Sequence, residues 1–286
     1  GQNLQRIAQR SDDDERNKIE TWLSPLNFWT KQDDVYSRHV GETGNWIFDD
    51  ELFKDWLNGV NKTLWCSGIP GAGKTMLASI IINHLERSHR NPDIGIAYIY
   101  CSYKANDHTL VNLISSLLKQ LIQGKPSMPE SIRSSFKSHC GKGTRPKFSE
   151  YVGWLRTEIM GRRRVFIVID ALDECFEADG TRAQLMAELH NLSHDPALKV
   201  SLIVTSRPSV DETSFGENVP RVEIKATDHD IRTYVEGRLC LSESNLKRLC
   251  DKNDDLTPRI TQTIVKKSKG MYVVDDSCGR HPDECQ

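Results

Sequence analysis

The sequence lacks any apolar run that approaches the roughly 20 residues of a membrane span. It also lacks an excess of charge of either sign, because 38 Lys and Arg residues face 40 Asp and Glu residues. This balance gives no support to binding of nucleic acid or of an anionic membrane. The eight cysteines contain no C-x-x-C pair, which is typical of a reducing compartment and not of a disulfide framework. We therefore expect a cytoplasmic protein without a membrane span.

A phosphate-binding loop is present at Gly68 to Thr75, where the sequence matches G-x-x-x-x-G-K-[ST]. Glycines let backbone N–H groups turn toward phosphate oxygens. Lys74 supplies a positive charge, and Thr75 supplies a hydroxyl ligand for Mg²⁺. The loop follows the apolar run 64–66 and opens the apolar stretch 76–82, so it lies between a strand and a helix as the motif requires. The residues expected to bind nucleotide are Gly68, Pro70, Gly71, Ala72, Gly73, Lys74, Thr75 and Met76.

An acidic cluster follows a second buried strand. The β-branched and apolar run 165–169 is typical of a parallel strand covered on both faces, and it ends at Asp170. An Asp at this point is where P-loop proteins hold Mg²⁺, the Walker B position. Glu174, or with less support Asp173, is placed to orient or deprotonate an attacking water. The alternative is a strand that leads into a solvated acidic turn, and the P-loop upstream argues against it.

A third strand brings further polar residues to the same edge of the predicted sheet. The run 201–204 reads as buried, and it ends in the polar segment 205–208. Polar groups at the carboxyl end of a strand face the ligand crevice of an open α/β sheet. Arg207 is placed to contact a γ-phosphate, although the segment also fits a Pro-stopped turn with a solvated Arg. The residues expected to serve catalysis are Lys74, Asp173, Glu174 and Arg207, and those expected to bind metal are Thr75 and Asp170.

Strands alternate with helical segments through most of the chain, which predicts an α/β fold: a P-loop NTPase three-layer sandwich with a parallel sheet. The predicted divisions are an N-terminal helical flank at 1–59, a nucleotide-binding domain at 60–226, a truncated C-terminal helical annex at 227–272 and a disordered tail at 273–286. We also predict strands at 94–100 and 219–224, and helices at 4–24, 50–57, 109–122, 150–160, 181–193, 231–240, 243–252 and 257–268.

Two stretches of the chain, 33–47 and 162–164, lie outside the predicted strands and helices. Residues 33–47 are read as mixed structure with turns at their glycines. The flank at 36–47 and the helical annex are expected to contact the base of a nucleotide. The basic run 162–164 is read as a solvated helix end, because it lies directly before a buried strand.

With these segments in place, the chain resembles the NACHT family of STAND-type signalling NTPases. The similarity is strongest to the NOD-like receptors of filamentous fungi that are related to heterokaryon incompatibility. The segments that carry the resemblance are 19–25, 44–47, 68–75, 170–174, 205–208 and 260–271.

The resemblance implies a switch whose nucleotide state controls self-association in signalling or innate immunity, between an effector and sensing repeats. It also implies that the strand before 205–208 lies between the P-loop strand and the Asp170 strand. The chain departs from the family after Met271, where the expected aromatic helix and winged-helix region do not follow. We therefore expect a core without its sensor.

The expected function is Mg²⁺-dependent binding of ATP or GTP with slow hydrolysis. The chain has no [NT]-K-x-D guanine-reading motif, which favours ATP. A module that holds nucleotide without hydrolysing it is the main alternative. A small-molecule kinase has less support, because the acidic cluster at 170–174 favours water activation.

Overall fold

The computed structural model describes residues 2–268, except 178, 211–214, 216–217, 242–247, 249, 251 and 254. The tail predicted at 273–286 and most of the helix predicted at 243–252 lie outside the described residues.

The centre of the described part is a sheet in which every pairing is parallel. The strands are β1 Thr63–Ser67, β2 Ile94–Tyr100, β3 Arg164–Asp170, β4 Val200–Ser206 and β5 Arg221–Glu223. Their spatial order is β2-β3-β4-β1-β5. Strand β4 therefore lies between the strand of the P-loop and the strand that ends at Asp170, as the resemblance implied.

Strands β1 to β4 form where the sequence predicted them because their central residues are mainly apolar. Residues 165–169 of β3 are all fully buried, which requires cover on both faces of the sheet. Phe166 packs against Trp56, while Trp65 of β1 packs against Phe215. Burying one such side chain stabilises the fold by about 1.5–3 kcal/mol. The parallel register then aligns the carboxyl ends of the strands along one edge.

Helices cover the sheet and complete the three-layer α/β arrangement. The helix at 28–36 packs against the P-loop helix, and a second group contains the helices at 110–123, 148–160 and 181–194. The helices are α1 Gln2–Leu23, α2 Phe28–Tyr36, α3 Glu51–Asn58, α4 Lys74–Ser88, α5 Leu110–Gln123, α6 Glu130–Lys142, α7 Phe148–Met160, α8 Thr181–His194, α9 Asp228–Leu241 and α10 Leu256–Ser268. No helix in the described part of the chain is long and apolar enough to cross a membrane.

The N-terminal flank is fastened to the nucleotide-binding region by charged side chains on backbone carbonyls. Arg16 Nη2 lies 3.0 Å from the carbonyl oxygen of Ile122, and Lys119 Nζ lies 3.0 Å from that of Ser24. Both bonds satisfy acceptors at helix ends, which have no partner within their own helix. Helix α2 was not predicted, since residues 33–47 were read as mixed structure.

The reading of 162–164 as a solvated helix end was wrong for two of its three arginines. Arg162 pairs with Glu158 at 3.1 Å. Arg164 donates to the carbonyl oxygen of Trp56 at 2.7 Å, and its guanidinium lies 4.4 Å from the ring centre of Phe166. Guanidinium groups bind the free carbonyls at a helix C-terminus and stack on aromatic rings. These arginines therefore join helices to the sheet.

Candidate functional site

The P-loop connects β1 to α4 at the carboxyl edge of the sheet. Gly71 and Gly73 have φ values of 77° and 91°, a left-handed backbone that favours glycine. A Cβ on Gly68 would lie 3.0 Å from the carbonyl oxygen of Ile224, so the loop also needs glycine where it meets the end of β5. Gly73 has no side chain with which to cap the first N–H groups of α4. These groups and the helix dipole suit an anion.

Lys74 is the first residue of α4, and its side chain folds back over the loop. Its Nζ donates to the carbonyl oxygens of Gly68 at 2.9 Å and of Ile69 at 3.2 Å. Burial lowers the pKa of Lys74, while the nearby carboxylates of Asp173 and Asp170 oppose that shift. The ammonium is therefore held over the concave face of the loop.

Asp170 ends β3 with its side chain almost completely buried, at 2% exposed. The hydroxyl of Thr205 donates to Asp170 Oδ1 at 2.7 Å and accepts the backbone N–H of Ala171 at 2.9 Å. One hydroxyl of β4 thereby fixes both the carboxylate and the start of the turn that follows it. Sequence reasoning placed Thr205 in a polar segment and assigned it no role.

The surroundings of Asp170 fit a divalent cation. Burial raises the pKa of Asp170 to about 6, against the opposing effect of hydrogen bonds from Thr205 and Thr75. A buried carboxylate of this kind gains from a nearby positive charge. The Thr75 hydroxyl beside it supplies a second hard oxygen, the ligand type that Mg²⁺ prefers.

Strain marks the turn after Asp170. Among the described residues, Ala171 is the only non-glycine with a positive φ, at 51°. This left-handed conformation costs about 1–2 kcal/mol for an L-residue, and such strain clusters at functional sites. A short 3₁₀ helix, Leu172–Glu174, follows directly. Its two acidic side chains have different surroundings, since Asp173 contacts Arg207 and Glu174 lines a cavity.

Asp173 is engaged by Arg207. Its Oδ2 lies 2.9 Å from Arg207 Nε, and its Oδ1 accepts the backbone N–H of Arg207 at 3.0 Å. The Asp173 side chain is 8% exposed, whereas that of Arg207 is 48% exposed. The structure thus pairs the residue expected to read a γ-phosphate with one of the two candidates for water activation.

Glu174 faces a cavity of about 400 Å³ next to the P-loop. Burial and the adjacent Asp173 raise its pKa, while Arg207 and Lys74 lower it. We call this space the main cavity. It is lined by Pro25, Leu26, Asn27, Phe28, Lys31, Thr75, Tyr100, Cys101, Ser102, Asp107, His108, Asp170, Ala171 and Glu174.

A second, narrow cavity of about 20 Å³ lies by the first turn of α4, between Gly44, Trp46 and Met76. The C-terminal annex reaches it through α9, since Asp230 Oδ1 accepts the N–H of Gly44 at 3.0 Å. Thr227 donates to the other oxygen of Asp230 at 2.9 Å. The annex and the 36–47 segment therefore meet beside this narrow cavity.

Comparison with known families decides what kind of protein this is. The family model described as Nephrocystin 3, N-terminal, matches residues 42–207, more than half of the chain. The chain belongs to the Nephrocystin 3 N-terminal family. The matched range contains the P-loop, Asp170 and Arg207. Together with the relative described next, it confirms the resemblance to NACHT-type NTPases.

A curated relative of this family member is the vegetative incompatibility protein HET-E-1 of Podospora anserina. It is 29% identical over 204 residues, which are 67% of this chain and 14% of that protein. The chain thus corresponds to a small part of that relative.

Solved structures show weaker likeness. The Orc1 protein of Aeropyrum pernix, in complex with DNA, has a TM-score of 0.47 at 16% identity, covering 76% of this chain and 53% of that one. Domain III of the Thermotoga maritima replication initiation protein DnaA has a TM-score of 0.42 at 16% identity, covering 82% and 87%. Likeness of this degree gives no information about the ligand of this family member.

Proposed function

We propose that this chain binds a Mg²⁺-bound nucleoside triphosphate at the P-loop edge and hydrolyses it slowly. The observation that carries the proposal is the meeting of three strand ends there. The loop after β1 brings Lys74 and Thr75, β3 brings Asp170, and β4 brings Thr205, which hydrogen-bonds that carboxylate at 2.7 Å. Cation, hydroxyl and buried carboxylate at one edge suit phosphoryl chemistry.

The proposed roles follow from where the groups lie. Backbone N–H groups of the loop and Lys74 bind the phosphates, and Thr75 and Asp170 hold Mg²⁺. When bound, Mg²⁺ supplies charge neutralisation on the phosphate oxygens. Glu174, which faces the main cavity and is not paired with Arg207, orients the attacking water. Arg207 can reach phosphate only by exchanging its contact with Asp173.

We place the nucleobase beside the narrow cavity, where Gly44 and Trp46 approach Met76. The base would then lie next to the first turn of the P-loop helix and beside the 36–47 segment, which was expected to contact it. At about 20 Å³ the cavity has to widen to admit a base. Competition between ATP and GTP shows whether this base is adenine or guanine.

Binding is tested with a fluorescent triphosphate analogue displaced by unlabelled ATP or GTP. Wild-type protein should bind, and one of the two nucleotides should compete better. Lys74→Ala should lose tight binding, because it removes the loop's ammonium group. Lys18→Ala, an exposed lysine of α1, is the matched control. Retained affinity in Lys74→Ala would contradict the assignment of the P-loop.

A non-hydrolysing nucleotide scaffold is the second candidate, and the Asp173–Arg207 pair favours it. These two groups were expected to assist hydrolysis, and in the structure they bind each other. Nucleotide that stays bound through gel filtration without turnover would support the scaffold. Release of diphosphate in a single-turnover assay would support the hydrolase.

We further propose that the chain is the switch core of a NOD-like signalling receptor, divided at 1–59, 60–226 and 227–272. Self-association through the nucleotide-binding domain and a cytoplasmic location belong to the same proposal. The similarity to HET-E-1, a vegetative incompatibility protein, supports it. Light scattering with and without bound triphosphate tests whether nucleotide controls assembly.

A further inference from the structure

One wall of the main cavity comes from the N-terminal flank. Residues 25–28 and Lys31, at the start of α2, line the same space as Thr75, Asp170 and Glu174. A phosphate held at Thr75 and Asp170 therefore lies in a space that the flank helps to enclose. The family match begins only at residue 42, so this wall lies outside the matched range.

Lys31 is the cation of this cavity. Of the described residues that line it, Lys31 is the only lysine or arginine, whereas Asp107, Asp170 and Glu174 contribute carboxylates. The described ion pairs do not include Lys31. Lys31 is an exposed residue, and its side chain is free to turn toward an anion in the cavity.

The two cations expected from the sequence to contact phosphate, Lys74 and Arg207, are already engaged. Lys74 is bonded to the carbonyls of Gly68 and Ile69, and Arg207 is paired with Asp173 at 2.9 Å. A terminal phosphate carries charge on several oxygens and accepts more than one cationic donor. The donor that the main cavity can still offer is Lys31.

The backbone of α2 is fixed relative to the P-loop helix, so the reach of Lys31 is defined. The buried side chain of Gln32 donates to the carbonyl oxygen of Ser79 in α4 at 3.0 Å, and it accepts the hydroxyl of Tyr100. Phe28 packs edge-on against His108 with ring centres 5.7 Å apart. These contacts hold Lys31 at the cavity mouth, and its flexible stem supplies the remaining movement.

His108 adds a second polar group to this wall. Its Nδ1 is buried and, within the part of the chain that the structure describes, has no hydrogen-bond partner. Buried polar atoms are almost always satisfied, so this nitrogen without a partner makes the wall beside Lys31 polar. Together with the charge of Lys31, it suits the wall to a polar occupant of the main cavity.

We infer that Lys31 binds the γ-phosphate of the nucleotide, so that the N-terminal flank distinguishes triphosphate from diphosphate. This inference rests on the proposed nucleotide binding. Loss of the γ-phosphate would release Lys31, and with it one of the ties between the flank and the nucleotide-binding region. The flank is thus bound more tightly to the nucleotide-binding region when the site holds a triphosphate than when it holds a diphosphate.

The test compares a non-hydrolysable triphosphate analogue with the corresponding diphosphate by calorimetry, in wild type and Lys31→Met. Methionine keeps the apolar stem and removes the charge. We expect triphosphate affinity to fall by about tenfold or more, the range for a hydrogen bond to a charged group, and diphosphate affinity to stay unchanged. Lys31→Arg should restore much of the loss, and Lys18→Met should match wild type.

Equal affinity of Lys31→Met and wild type for the triphosphate would overturn the inference. An equal loss for both nucleotides would overturn it too, because Lys31 would then support the fold or the P-loop in general. In either case wild type still binds nucleotide and the proposed function stands. If wild type binds neither nucleotide, the proposed function fails, and this inference falls with it.

Discussion

The hydroxyl of Thr205 offers the most direct test of how the site is built. It is fully buried, and it joins β4 to β3 by two hydrogen bonds, to Asp170 and to the N–H of Ala171. Thr205→Val keeps the shape of the side chain and removes both bonds. A buried backbone N–H is then left without a partner, and the carboxylate of Asp170 loses a donor.

The expected loss of stability is about 2 kcal/mol, since leaving one buried polar group unsatisfied costs about 1–3 kcal/mol. The substitution should also weaken the Mg²⁺-dependent part of nucleotide binding, because Asp170 is no longer oriented. Urea denaturation measures the first effect, and titration with and without Mg²⁺ measures the second.

Thr63 provides a matched control on the neighbouring strand. It is 5% exposed, and its hydroxyl is buried without a hydrogen-bond partner among the described residues. Thr63→Val should therefore be neutral or stabilising, because it replaces an unsatisfied group by a methyl group. Thr205→Ser, which keeps the hydroxyl, should retain Mg²⁺ dependence.

The reasoning is refuted if Thr205→Val is as stable as wild type, or if Thr63→Val loses as much. Both outcomes would mean that the hydrogen bonds to Asp170 and Ala171 do not set the energetics of this edge of the sheet.

Three further outcomes are expected. Asp170→Asn should stabilise the nucleotide-free protein at pH 7 by at most about 3 kcal/mol. Because the native pKa of Asp170 is raised to about 6, the unfolded chain ionises first, and the free energy of unfolding falls as the pH rises from about 4 to 6. Asparagine does not ionise and avoids this loss. Urea denaturation at pH 4 and 7 checks this, and a less stable variant at pH 7 would contradict it. Glu174→Gln should bind triphosphate normally and lose about 100-fold or more of any hydrolysis, measured as phosphate release; unchanged turnover would remove Glu174 from the mechanism. Gly153→Ala lies at an exposed site in α7, where the added Cβ would meet nothing within 4 Å beyond the backbone of its own helix turn and its two neighbouring residues. It should stabilise the fold by about 1 kcal/mol, and a lower melting temperature would show an unexpected constraint there.

The strands and the P-loop could be predicted because their signals are local. Residues 165–169 are apolar without interruption, and buried parallel strands need no other pattern. The loop from Gly68 to Thr75 could be predicted because glycines occupy its positions with positive φ. The strand order could also be anticipated, although only through the family resemblance.

Contacts between distant segments could not be predicted. Asp173 and Arg207 are 34 residues apart, and nothing near either residue indicates that they pair. Helix α2 owes its place to a buried Gln32 held by Ser79 and Tyr100, which no apolar periodicity reveals. Arg164 looked solvated because its partners lie on α3 and β4. Tertiary hydrogen bonds decided each of these positions.

The central claim is that this chain is a Mg²⁺-dependent nucleotide-binding core. Isothermal titration with non-hydrolysable ATP and GTP analogues, each with and without Mg²⁺, tests it most directly. We predict saturable binding of one analogue that weakens strongly when Mg²⁺ is removed, because Thr75 and Asp170 then lose the cation that they share with the phosphates. Binding of neither analogue, by protein that is folded by circular dichroism, would contradict the claim.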